Sequence, residues 1–133
     1  MNAFTTVTTF AGTGAAGAED VVVGTNQPPA FSGPCGLASS GDLVFVADRD
    51  NHLIRQITLN RVNANTPAGT VSTVAGGGGG GALRGFANGV GLNAIFNHPQ
   101  DIVLVEDGSN SFLLVSDRLN NMIRHVALRP EHV

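Results

Sequence analysis

Apolar residues in this chain fall in short runs broken by clusters of Gly, Asn, Asp and Ser, and no segment sustains a 3.6-residue apolar period. Short apolar runs bounded by turn-forming residues read as β-strands rather than helices. Leu43-Val44-Phe45-Val46-Ala47 and Phe112-Leu113-Leu114-Val115-Ser116 are the plainest. Each follows a shorter run, residues 36–38 extending toward Ser39 in one case and residues 102–105 in the other, and precedes a longer one, at 53–59 and 122–128. Along 53–59 the sides alternate imperfectly, with Leu53, Arg55, Ile57 and Leu59 against Ile54, Gln56 and Thr58. A fourth pair of strands is expected at 6–10 and 70–74. Gly41-Asp42 and Asp107-Gly108 mark the turns before the second strands. Asp50-Asn51 and Asn120-Asn121 mark those before the third, Asn tolerating positive φ. The near-continuous apolar runs 102–105 and 112–115 predict a sheet covered on both faces.

These pairs arise because the chain repeats itself. Val7-Thr8-Thr9-Phe10-Ala11-Gly12 returns 64 residues later as Val71-Ser72-Thr73-Val74-Ala75-Gly76. Phe31-Ser32-Gly33-Pro34 returns after 65 as Phe96-Asn97-His98-Pro99. The block from Asp48 to Arg55 returns after 69 as Asp117 to Arg124. The last jump of four places an insertion at Glu106-Asp107-Gly108-Ser109-Asn110-Ser111, against Ser39-Ser40-Gly41-Asp42, and a turn is where a repeat fold absorbs one. Four antiparallel strands repeated in tandem are the pattern of propeller blades. The expected architecture is all-β: two four-stranded antiparallel blades within a larger propeller. The repeat region takes in the whole of 1–133, divided into 5–69 and 70–128 with a tail at 129–133.

Composition narrows the function classes. The net charge is −3 and all seven basic residues are Arg. With no Lys, and no Tyr or Trp to stack on bases, nucleic-acid binding is disfavoured. Charged residues make up 13%, about half the roughly 25% usual in soluble domains, and with 18 glycines this suits strands and tight turns. The single cysteine, Cys35, excludes an intrachain disulfide. No stretch reaches the roughly 20 apolar residues of a membrane helix. Residues 1–10 lack a basic, apolar leader pattern, so a soluble intracellular chain with no membrane contact is expected.

The stretch Val46-Ala47-Asp48-Arg49-Asp50-Asn51-His52-Leu53-Ile54-Arg55-Gln56-Ile57 resembles the NHL-repeat family, with Asn51-His52-Leu53 as the tripeptide that names it. The second copy keeps the frame with Asn120-Asn121-Met122. Residues 71–76 are similar to the family's outer strand, and the Gly-rich loop ending in Ala94-Ile95-Phe96-Asn97-His98-Pro99 to its linker. In the first copy the loop 15–29 is degenerate but ends similarly in Ala30-Phe31. The resemblance spans about residues 5–128. It implies a propeller of several blades, commonly six, acting as a scaffold for a protein or peptide partner. This chain supplies two, beginning with an outer strand and stopping after a third strand. Two routes cover the bare blade faces: a six-bladed ring of three chains, each N-terminal strand completing its neighbour's second blade, or membership of a larger propeller. A metal-dependent propeller lyase or hydrolase is the alternative function.

Candidate chemistry is sparse. Asp48, Asn51 and Arg55, and Asp117, Asn120 and Arg124, recur at one spacing, which favours a structural role over an acid–base pair or anion clamp, because an active site is usually single. Residues 76–81 lack the Gly-Lys-Ser/Thr ending of a phosphate loop and read as a linker. No pair among His52, His98, His125 and His132 has zinc-motif spacing, so neither metal nor cofactor is assigned. His98, Gln100 and Asp101 precede or begin an innermost strand and are the candidate binding residues at a channel-facing loop. Gly33, Cys35 and Gly36 match them in the first copy. The Asp48 and Asp107 loops lack the ligand alternation of a calcium site and read as polar turns. Cys35 reads as a small buried hydrophobe rather than a nucleophile.

Overall fold

Two-residue turns at Gly41-Asp42 and Gly108-Ser109, with φ near 55° at both glycines, fold the chain into matching hairpins. They belong to two antiparallel sheets in a computed structural model that describes residues 5–20, 28–60 and 68–129. The first sheet holds β1 (Pro34–Ser40), β2 (Leu43–Asp48), β3 (Leu53–Asn60) and β4 (Ala68–Gly76) in the order β1-β2-β3-β4. The second holds β5 (Pro99–Asp107), β6 (Asn110–Asp117) and β7 (Met122–Ala127) in the order β5-β6-β7. No α-helix occurs among the described residues; three 3-10 turns, Arg49–Asn51, Gly91–Asn93 and Arg118–Asn120, complete the regular structure.

The expected strands are present at nearly the expected places, with four differences. Residues 5–10 carry no regular structure, although a strand is expected at 6–10. A strand needs a ladder partner for its N–H and C=O groups, and these exposed residues have none among the described residues. For the same reason the second sheet has three strands and not four. The four-residue insertion does not sit in the turn. Beyond equivalent bulges after Pro34 and Pro99, the first hairpin pairs from Leu37↔Val46 to Ser40↔Leu43 and the second from Ile102↔Val115 to Asp107↔Asn110, so each strand gains two residues while the turn keeps two. The tail at 129–133 lies outside the described residues beyond Arg129.

The fourth difference concerns burial. The second sheet was the one expected to be covered on both faces, yet the first is. Phe45, Val46, Ala47 and Asp48 are consecutive buried residues on β2, as are Leu53 to Ile57 on β3. On β6 buried and half-buried positions alternate instead. One face of the first sheet (Phe45, Ala47, Ile54, Ala75) packs on the second through Ile102, Leu113 and Val115, with Ala94 and Phe96 completing the main core. Its other face (Val46, Ile57, Val71) is capped by Ala11 and Phe31. The second sheet has the first as a neighbour on one face; on the other, Val103 and Ile123 stand 57% and 69% exposed. The edge strands β1 and β5 meet where a Cβ on Gly36 would lie 2.5 Å from the Cα of Asp101, a closeness only glycine allows. Farther along, the Ser40 hydroxyl donates to the Glu106 carboxylate.

Candidate functional site

The repeated Asp, Asn and Arg build one network twice. In the first copy Asp48, fully buried at the end of β2, accepts from the Ser32 backbone N–H at 2.8 Å through Oδ1. Its Oδ2 accepts from Asn51 Nδ2 and Arg55 Nη1, both at 2.8 Å. Arg55 also donates to the carbonyls of Ala30 (2.9 Å) and Glu19 (2.8 Å) and to Asp20 Oδ1 (2.7 Å), while Asn51 donates to the carbonyl of Gly17 (2.6 Å). In the second copy Asp117 accepts from the Asn97 N–H (2.8 Å), Asn120 Nδ2 (2.7 Å) and Arg124 Nη1 (2.7 Å). Arg124 donates to Ile95 O (3.0 Å), Ala87 O (2.8 Å) and Asn88 Oδ1 (3.0 Å), and Asn120 to Gly85 O (2.8 Å). Each guanidinium also lies over a repeated phenylalanine, Phe31 at 5.0 Å and Phe96 at 4.8 Å.

The Asp carboxylates, the Asn Nδ2 groups and the terminal nitrogens of both guanidinium groups thereby hold a linker against its hairpin, while Arg55 Nε is buried without a hydrogen-bond partner. A charge this deeply buried is tolerable only when paired and hydrogen-bonded. The match also aligns the loop 15–29, whose residues 21–27 lie outside the described ones: Gly17, Glu19 and Asp20 stand where Gly85, Ala87 and Asn88 stand. The shared Gly-x-x-Asp/Asn spacing was the available signal.

Among the described residues no hydrogen bond joins His98, Gln100 and Asp101 to one another. His98 adopts φ 57°, the left-handed conformation that its counterpart Gly33 adopts at 63°. Its Nδ1 lies 2.8 Å from Asn97 Oδ1 and its ring packs edge-on against His52, 4.5 Å between centroids. Gln100 is exposed. Asp101, also exposed, accepts from the Ile102 N–H at 2.9 Å, turned to its own backbone beside Gly36. Among the described residues no group of three or more His, Cys, Asp or Glu is placed to hold a metal ion. His132 lies outside them. Cys35 is exposed and not a buried filler: it lies on the edge strand β1, its thiol donating to Gly33 O at 3.3 Å.

What sequence reasoning missed is a contact between the two copies through His52. The left-handed residue closing the first 3-10 turn is His52 (φ 58°), not Asn51, while Asn121 (φ 55°) closes the second. This places the buried His52 ring where Nδ1 accepts the His98 backbone N–H at 3.0 Å. An accepting Nδ1 carries no proton. Burial first, then the nearby positive charges of His98 and Arg84, holds the His52 pKa below its ordinary value. A histidine kept neutral in the folded state binds fewer protons than in the unfolded chain, so its contribution is complete above about pH 6.5 and declines as pH falls from there toward the lowered pKa. Urea titrations from pH 7.5 to 5 are expected to show stability falling with acidification, and less steeply in His52→Asn, which installs the residue of the second copy. Equal slopes in the two proteins would refute the role given to His52.

No helix among the described residues is long and apolar enough to cross a membrane. No family model matches the chain, and no curated protein does.

Proposed function

We propose that this chain is a pair of β-propeller blades of NHL type and works as a binding scaffold rather than a catalyst. The observation that carries this reading is the duplicated Asp–Asn–Arg network, which spends the polar residues of the motif on architecture in both copies. The face-to-face packing of the sheets, with β1 and β5 meeting at one edge, is the relation that adjacent blades have around an axis. On this reading the partner is a protein or peptide, and the exposed Gln100 and Asp101, beside the half-buried His98, are available to contact it. Titration calorimetry with zinc and with calcium separates scaffold from metal-dependent enzyme. The scaffold reading expects no saturable binding. Stoichiometric uptake that His98→Ala and Asp101→Asn abolish would overturn it in favour of a metal-dependent propeller enzyme.

A further inference from the structure

The segment 7–12 repeats the sequence of residues 71–76 of β4, and at Ala11 and Gly12 it also repeats that strand's position. Ala75 of β4 packs between the two sheets, and its counterpart Ala11 packs on the opposite face of the first sheet. Gly76 has φ 101° and faces Phe96; its counterpart Gly12 has φ 109° and faces Phe31, the counterpart of Phe96. Ala11 and Gly12 therefore lie against the first sheet as Ala75 and Gly76 lie against the second, while residues 7–10 before them are exposed. What the segment lacks is the strand that β4 pairs with. Val71 is fully buried and paired with Ile57, whereas Val7 is 94% exposed.

The second sheet has the complementary vacancy. β7 pairs only with β6 among the described residues, and a groove of about 870 Å3 runs along its outer side, lined by Val74, Phe86, Val90, Val126 and Leu128 among others. By repeat position Met122 should face Gly12, His125 Thr8 and Val126 Val7, as Leu53 faces Gly76, Gln56 Ser72 and Ile57 Val71. A polar contact is waiting as well. Asp20 accepts from the Thr73 N–H (3.2 Å) and hydroxyl (3.1 Å), holding β4 to the first linker. Its counterpart Asn88 is the group that would meet Thr9, the counterpart of Thr73.

The apolar faces agree. Ile54 is fully buried between the sheets; its counterpart Ile123 is 69% exposed on the far face of the second sheet. Ile102 is 4% exposed between the sheets; its counterpart Leu37 is 63% exposed on the far face of the first. The open face of the second sheet, and the part of the first sheet's far face that Ala11 and Phe31 leave bare at Leu37, are the two halves of the interface that the chain already forms internally.

We infer that the β7 edge and the Val103–Ile123 face receive a second copy of this chain head to tail, its residues 6–12 adding as the fourth strand of the second sheet. This rests on the blade reading and continues the existing sheet-to-sheet interface into a heterologous contact. Three copies would place six sheets in a closed ring.

Two preparations test it, both with Cys35→Ser, one carrying Thr8→Cys and the other His125→Cys. The inference expects a short thiol crosslinker to join unlike chains on mixing and to leave each preparation alone unlinked. Light scattering should give a whole multiple of 13.6 kDa, threefold for a six-sheet ring, and Val7→Asp should return the mass to 13.6 kDa. A mass of 13.6 kDa at all concentrations with an intact β spectrum, or crosslinks only between like chains, overturns the second copy as occupant and leaves the blade reading standing. A circular dichroism spectrum without β signal overturns both.

Discussion

Asp117→Ala is expected to destabilise the chain by about 3–5 kcal/mol, the usual cost of stripping a buried cation of its partner. Arg124 is 8% exposed, and its 2.7 Å contact with Asp117 is the one ion pair it makes among the described residues. The carbonyls of Ile95 and Ala87 and the Asn88 amide oxygen would remain, none carrying a full charge. The Asn97 N–H and Asn120 side chain would lose an acceptor as well. Against a typical total of about 5–15 kcal/mol, that loss is a large fraction of the stability and shows as a clear drop in the denaturation midpoint. Asp48→Ala should be milder in its charge component, because Arg55 keeps a second carboxylate, Asp20, at 2.7 Å. Asp20 is 38% exposed, so solvent screens that replacement in part. Chemical denaturation of both variants and of Asp20→Asn/Asp48→Ala checks the ordering. If Asp48→Ala and Asp117→Ala cost the same and adding Asp20→Asn changes nothing, Asp20 is not the compensating charge.

Phe96→Ala should cost about 3–5 kcal/mol, the range for deleting a buried phenyl ring. Its ring is 1% exposed in the core between the sheets, stacks under the Arg124 guanidinium and lies 3.0 Å from where a Cβ on Gly76 would be. The deletion thus opens a cavity at the junction of β4, the second linker and β7. Phe31→Ala removes the counterpart ring from the rim of the first sheet, where it is only half-buried, so a smaller loss is expected. The contrast has a further use. If a second copy seats on the first sheet, the cost of Phe31→Ala should grow with protein concentration, as that of Phe96→Ala should not. Melting curves at several concentrations read this directly.

The strands at 36–38, 43–47, 53–59 and 70–74, the three blocks that repeat, and the common spacing of Asp48, Asn51, Arg55 and their counterparts were legible in the sequence, whereas the strand read at 6–10 is absent. Those features follow from side-chain alternation and from residue identity at a fixed spacing, and both are local. Tertiary structure decided the rest. The partners of Arg55 and Arg124 include the carbonyls of Glu19, Ala30, Ala87 and Ile95, and since any residue supplies a carbonyl, the equivalence of the two linkers left little trace in side-chain identity. The left-handed turn falls on His52 because backbone geometry, not residue preference, sets where a 3-10 turn ends. Burial was the least legible property. Ile54 and Ile123 occupy the same place in the repeat, yet one is sealed and the other 69% exposed, because burial belongs to whatever packs against a face and not to the residue on it.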